Sequence, residues 1–273
     1  MPPWIAAVLG VVEGVTEFLP ISSTGHLILV AHAFGLDDDA TKTFEIVIQG
    51  GAILAVVVYY RRLLAERLGG LARRDPVAIR LAVALAAAFL PTAVAGVLLR
   101  KLIKRHLFGP EPVIGALIVG GIVMIVAERL LPAPDRGAPA TKDRLSAIGA
   151  REGFLIGCAQ CLALWPGTSR SMVTLLAGRA LGLDVRTAAE FSFLLAIPVL
   201  GGATALDLWK ERAVLAGGGA FTAIGIGFVT SFVVAWAAID WFLRFLRSRG
   251  LAPFGWYRIA VGIFAAWWLL GHR

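Results

Sequence analysis

Apolar sequence in this chain is interrupted twice in the same manner, at Pro20 and at Pro166-Gly167, and these interruptions limit the folds open to it. Residues 1–18 form a short helix candidate that stops at Pro20. Residues 26–35 (HLILVAHAFG) make a second short piece, ending at Gly35 and the acidic turn Asp37-Asp38-Asp39. Neither piece reaches the ~20 residues that a helix needs to cross a bilayer. Short helices joined through Pro, Ser and Gly predict a re-entrant hairpin, tolerated at membrane depth only where protein or a wet cavity covers the irregular backbone. The membrane itself follows from composition. Of 273 residues, 58% are hydrophobic and 16% charged, against roughly a quarter charged in a soluble domain. The N-terminal residues lack a basic region ahead of the apolar run, so no cleavable signal peptide is expected.

Fuller spans are expected at about 43–60, 81–99 and 112–131, separated by an Arg-rich loop (61–80) and the cluster Arg100, Lys101, Lys104, Arg105. A second broken pair, 150–165 and 171–182, precedes spans at about 187–206, 217–239 and 256–271. A Pro/Gly-rich linker, 132–149, divides a first repeat (1–131) from a second (150–273) within one membrane domain, 1–273. Gly10, Glu13, Phe18, Pro20, Ser22 and Ser23 align with Gly157, Gln160, Trp165, Pro166, Thr168 and Ser169 when one residue is gapped after position 18. Phe34-Gly35-Leu36-Asp37 likewise matches Leu181-Gly182-Leu183-Asp184. An odd number of spans between the hairpins turns the second half over in the membrane. The expected fold is an all-α polytopic membrane protein with an inverted-topology repeat, each half a re-entrant helical hairpin plus three transmembrane helices. Repeats of this kind place their sites near the bilayer midplane, where broken helices meet.

The formal charge of +8 does not indicate nucleic acid, because the basic residues concentrate between apolar spans. Sixteen fall on one face (the 61–80 loop, the 128–151 region, Arg186, Arg244, Arg247, Arg249 and Arg258) and eight on the other. The positive-inside rule makes the richer face cytoplasmic. Both termini and the first hairpin's mouth are then extracytoplasmic. Cys158 and Cys161 lack a second ligand pair and read as small buried hydrophobes. His32, His106 and His272 have no sequence partners, and the tryptophans other than Trp165 fall near span ends, as aromatic belts do.

The chemistry is concentrated in EGVTEFLPISSTGH, residues 13–26. Glu13 and Glu17 stand i, i+4 on one helix face, and paired carboxylates suit a divalent cation, Mg²⁺ or Ca²⁺, that also takes phosphate oxygens. Ionisable side chains at this depth point to function. Ser22, Ser23 and Thr24 open the next half-helix, where hydroxyls and free N–H groups cap the helix and receive anions. His26 lies three residues after Ser23, spacing that suits a nucleophile and its base. Arg170, between Ser169 and Ser171 in the second break, offers a planar fork for phosphate; Glu17, a substrate or both are its candidate partners. Gln160 takes the repeat position of Glu13. Glu45 and Glu190 stand near the starts of comparable spans, lining a cavity or facing the interface.

EGVTEFLPISSTGH and QCLALWPGTSRS together closely resemble the undecaprenyl-diphosphate phosphatases of the bacitracin-resistance family, and KTFEIVIQGGAILAVVV and AAEFSFLLAIPVLGGATALDLWK extend the likeness over essentially the whole chain. The resemblance implies a multi-pass bacterial plasma-membrane enzyme that removes the terminal phosphate of a polyprenyl diphosphate, recycling the lipid carrier for peptidoglycan. It also implies a divalent-metal requirement and bacitracin resistance when the enzyme is abundant. On this reading Ser23 attacks phosphorus, His26 takes its proton, Arg170 and a metal on Glu17 and Glu13 offset charge, and Ser22, Thr24, Gly25, Gly167, Thr168, Ser169 and Ser171 receive the substrate. The site is expected to open extracytoplasmically, and a homodimer stays open. Two alternatives stand beside it. One is a polyprenyl-phosphate transporter or flippase, which the repeat alone would suit. The other is a phosphatidic-acid-type phosphatase, which leaves the glutamates without a role.

Overall fold

The computed structural model describes residues 1–36, 38–107, 109–131, 144–210 and 221–270. Most of the expected linker (132–143), Asp37, His272 and the counted cations Arg136, Lys142, Arg212 and Arg273 lie outside the described residues, as do the side chains of Arg100, Lys104, Lys210 and Arg247. Everything regular among the described residues is helical. The first half holds α1 (Pro3–Thr16), α2 (Ser23–Ala33), α3 (Asp39–Tyr59), α4 (Arg61–Ala72), α5 (Pro76–His106) and α6 (Pro110–Leu130). The second holds α7 (Ala150–Gln160), α8 (Arg170–Ala180), α9 (Val185–Lys210), α10 (Phe221–Ser248) and α11 (Ala252–Leu270). Five of these, α3, α5, α6, α9 and α10, are long and apolar enough to cross a membrane. The expected last span, α11, is not in that set, because Arg258 and three tryptophans lower its hydropathy.

The expected Arg-rich loop is largely helix. In α4, Leu63 and Leu64 pack on the main core while Leu68 and Leu71 stay exposed among arginines, the pattern of a helix lying in the membrane interface. Leu, Ala and Arg are all good helix formers, so charge density alone was a poor loop signal. Asp75 then caps α5, accepting from the amides of Val77 at 3.3 Å and Ala78 at 3.2 Å, with Pro76 in the first turn. The Arg100–Arg105 cluster is the last turns of α5, not a loop. The cysteines also differ from expectation: Cys158 is exposed and Cys161 half-buried, both free.

Short half-helices reach the centre of the molecule because small residues let neighbours approach to backbone contact. Helix α1 lies on α10 through Gly10 and Gly14, where any Cβ would meet the Gly227 and Ser231 carbonyls. Helix α7 lies on α5 through Gly153 and Gly157, facing Ala84 and Ala88. Each half's hairpin is therefore held by a long helix of the other half. A chain of edge-on rings, Phe18–Phe193 at 5.3 Å and Phe242–Phe254 at 5.3 Å, with Phe193–Phe242 between them at 6.1 Å, runs from the first hairpin into the second half's core.

Candidate active site

Two breaks with one backbone signature build the site. Ser22, preceding α2, has φ 74° and ψ 95°, and its hydroxyl accepts from the Gly25 amide at 3.3 Å. Ser169, preceding α8, has φ 74° and ψ 110°, and its hydroxyl accepts from the Met172 amide at 3.3 Å. Left-handed backbone costs a non-glycine residue about 1–2 kcal/mol, and an N-cap bond offsets about 1 kcal/mol. The shared geometry pairs Ser22 with Ser169 and Ser23 with Arg170. That is the spacing that relates the positive-φ glycines Gly35 and Gly182, and it removes the gap the sequence alignment placed after residue 18. The Ser23 hydroxyl and the Arg170 guanidinium thus occupy the same position, the first residue of each second half-helix. The first amides of such helices lack intrahelical acceptors and carry the positive end of the dipole.

Glu17 joins the two. Its Oε1 accepts from Arg170 at 2.9 Å, and its Oε2 accepts from the Ser23 hydroxyl at 2.5 Å. Both charged side chains are nearly dry, Glu17 being 5% and Arg170 9% exposed, so their ion pair is far less screened than a surface pair. Arg170 also donates to the Ser192 carbonyl at 2.9 Å and its hydroxyl at 3.2 Å, while Thr174 and Ser192 share a 2.6 Å hydroxyl bond. The Phe18 ring lies 5.8 Å from its guanidinium carbon. With the fork held on these sides, Nε keeps its hydrogen without a protein acceptor. A phosphate oxygen would satisfy it.

His26 departs from expectation. Its Nδ1 lies 2.7 Å from the Ser22 carbonyl and Nε2 2.9 Å from the Tyr257 hydroxyl, the rings stacked within 4°. A carbonyl only accepts, so Nδ1 carries the hydrogen, and in the neutral ring Nε2 accepts from tyrosine. The expected Ser23–His26 bond is absent, and Glu17 holds the Ser23 proton instead. Side chains at a helix start lean over the preceding turn, which here carries Glu17.

The remaining expected residues divide. Thr24 is exposed. Gly25 lies against Gly167, so the breaks touch there. Gly167 itself needs to be glycine, with φ 94° and α6 backbone within reach of any Cβ. Ser171 donates to the Leu19 carbonyl of the first break at 2.8 Å, which makes Ser169 the donor in their mutual 3.0 Å bond. Thr168 contributes its carbonyl to Arg258 at 3.1 Å. Gln160 donates to Thr92 at 2.8 Å. Glu190 pairs with Arg186 at 2.8 Å and is not at the centre. Arg179 is buried as well.

Glu13 is fully buried, and neither of its carboxylate oxygens has a hydrogen-bond partner. Charge from Glu17, Glu45 and Arg170 acts on it. Two orphaned hard oxygens beside further carboxylates fit a divalent cation. Among the described residues no group of three or more His, Cys, Asp and Glu is arranged to hold a metal; water and phosphate oxygens would complete the shell, as they commonly do for such ions.

Sequence reasoning missed Ser192, Tyr257 and Arg258. Arg258, counted as an interface cation, is fully buried. Its position inside an apolar helix was the available signal.

Helical architecture and site define a multi-pass membrane protein in which two broken helix pairs bring Ser23, Glu17 and Arg170 together in a buried centre. The chain belongs to the family described as bacitracin resistance protein BacA, whose model matches residues 6–264. Over 267 residues it is 55% identical to a Sorangium cellulosum (strain So ce56) protein named undecaprenyl-diphosphatase, covering 97% of this chain and 86% of that one. A Rhizorhabdus wittichii protein of the same name is 51% identical over 264 residues, covering 97% and 96%. One from Novosphingobium aromaticivorans is 46% identical over 267 residues, covering 97% of each.

Proposed function

We propose that this chain is an integral membrane phosphatase that hydrolyses undecaprenyl diphosphate to undecaprenyl phosphate and inorganic phosphate. The carrier is thereby returned to peptidoglycan synthesis, and bacitracin resistance follows from abundance. The names of its relatives support the substrate. The observation that carries the chemistry is Glu17, which holds the Ser23 hydroxyl and the Arg170 fork on its two oxygens.

Ser23 Oγ attacks the terminal phosphorus while Glu17 Oε2 takes its proton. The bond to the bridging oxygen breaks, and undecaprenyl phosphate leaves with that oxygen. Arg170 turns its free Nε–H and part of its fork from Glu17 to the transferring phosphoryl oxygens, where charge must be offset. The α2 and α8 amide ends add positive potential on the same group. Glu17 gives the proton it took to the departing undecaprenyl phosphate and is a carboxylate again. It then takes a proton from the water that attacks the phosphoserine. The Ser23–phosphorus bond breaks, phosphate departs and that proton returns to Ser23. His26, tied to the Ser22 carbonyl and Tyr257, fixes the break that presents Ser23. A divalent cation held by Glu13 with Glu17 would neutralise diphosphate charge.

The two halves are read as an inverted-topology repeat, supported by the matching breaks and exchanged helix packing. We place the protein in the bacterial plasma membrane with its site opening extracytoplasmically, as the basic-residue asymmetry favours. The test is phosphate release from detergent-solubilised protein given a polyprenyl diphosphate, with and without EDTA. Metal-dependent release that Ser23→Ala lowers about 1,000-fold supports the covalent route. Near-parental turnover by that variant replaces it with directly activated water, and lipid transport without hydrolysis overturns the phosphatase.

A further inference from the structure

We infer that Arg258 is a positioning residue of this site, locking the two breaks together through their carbonyls. The inference rests on the phosphatase reading only for its kinetic consequence.

Arg258 is fully buried on α11. The five hydrogen bonds the structure gives it all go to neutral carbonyls. Nη1 donates to Pro20 at 3.3 Å and Thr168 at 3.1 Å; Nη2 donates to Gly167 at 2.8 Å and Ala116 at 2.9 Å; Nε donates to Leu117 at 3.3 Å. Two acceptors, Gly167 and Thr168, stand directly before Ser169-Arg170. A third, Pro20, stands two residues before Ser22. One rigid fork therefore ties carbonyls of both breaks, which lead into Ser23 and Arg170.

Chemistry explains why an arginine does this. Non-helical backbone leaves carbonyls without ladder partners, and an unpaired carbonyl away from water is costly. Lysine offers a compact ammonium; only guanidinium reaches several acceptors in one plane. Burying such a charge is unfavourable unless all its hydrogens are engaged, so the arrangement is a poor way to gain stability alone. It is suited to fixing geometry. The neighbours are shaped for it: a Cβ on Gly120 of α6 would overlap the guanidinium. The preceding residue, Tyr257, receives His26, so two adjacent positions of α11 fasten the first hairpin at separate points.

The experiment uses the full chain in detergent with Arg258→Lys, Arg258→Met and Gly120→Ala, the last keeping the arginine but displacing its fork. Misplacement of reacting groups by about 1 Å costs on the order of 100-fold in rate. Arg258→Met is expected to lower kcat about 100-fold with KM within about threefold, with Arg258→Lys recovering part and Gly120→Ala losing about tenfold. In an Arg170→Lys background the loss from Arg258→Met shrinks, because both act on one geometry. Amide hydrogen exchange supplies a readout independent of turnover: Arg258→Met raises exchange at 22–25 and 169–172 about tenfold while the middle of α10 is unchanged. If kcat per folded molecule stays within about threefold of the parent, or exchange changes at neither break, Arg258 is not a positioning residue. If the parent itself releases no phosphate, the phosphatase reading fails and exchange alone decides the positioning.

Discussion

The two breaks share a scaffold and differ in what it presents. Both reach a serine at φ 74° whose hydroxyl caps the next half-helix. At the first helical residue one offers Ser23 and the other Arg170, and Glu17 binds both. The first break carries Glu13, Glu17 and the Ser23 hydroxyl on Glu17; in the second, the serine hydroxyls bond one another and the Leu19 carbonyl, and Gln160 stands where Glu13 does. Two breaks of matching backbone geometry thus place their first helical residues, a hydroxyl and a guanidinium, against one carboxylate.

The strongest way to break this comparison is to remove the second lobe's contribution. Arg170→Ala is expected to lower kcat about 1,000-fold or more, as loss of a transition-state cation does. Arg170→Lys keeps the charge but not the planar fork and recovers about tenfold of it. Steady-state phosphate release, normalised to folded protein, reads both. Turnover of Arg170→Ala within tenfold of the parent would show that the first lobe is a complete site.

Glu13 and Gln160 sharpen it at smaller amplitude. Both are fully buried. Glu13 has two orphaned oxygens, and Gln160 has one orphaned oxygen with its amide on Thr92. An unsatisfied buried group costs about 1–3 kcal/mol, more when charged. Glu13→Gln should therefore raise the unfolding temperature measured in EDTA while lowering metal-stimulated turnover about tenfold, a stability–activity trade. A fall in thermal stability would mean that Glu13 already has a compensating partner, and that its charge is not held for a cation.

Much of this was legible in the chain. Proline and glycine inside short apolar pieces marked both breaks, and the requirement of a buried guanidinium for an anion made Glu17 a candidate partner of Arg170. The Ser23–His26 pair failed for a local reason. Spacing of i, i+3 says which residues share a helix face, but Ser23 sits at the helix start, where its side chain leans toward Glu17. Arg258 failed for a global one: charge counting assigns every cation near a span end to the interface, and only tertiary structure reveals carbonyls needing a donor. Helix α4 was hidden because its arginines masked the apolar stripe.

The smallest expected difference lies where each hairpin hands the chain to its following long helix. Asp38 caps α3 by accepting from the Thr41 amide at 2.8 Å, and Thr41 bonds hold its exposed carboxyl below the ordinary aspartate range. Asp184 does the same for α9: Thr187 donates its amide at 3.1 Å and its hydroxyl at 2.6 Å, and Arg144 adds an ion pair at 2.9 Å. Burial alone would lift the Asp184 carboxyl, but those bonds outweigh it and leave it lowered. A carboxyl lower in the folded than the unfolded chain stabilises above its unfolded value, and the stabilisation is lost as pH falls through the folded one. Arg144 is partly solvated, so its ion pair adds little to the cap. Asp184→Asn keeps a capping oxygen but loses the Arg144 ion pair, so it should cost about 0.2–1 kcal/mol at neutral pH, with the gap from the parent closing as pH falls below the ordinary aspartate range. Asp38→Asn, with no arginine on its partner and an amide that still caps, should shift the unfolding temperature less. Equal shifts for both would mean that the second hairpin's exit is held by its cap alone, with nothing added by Arg144.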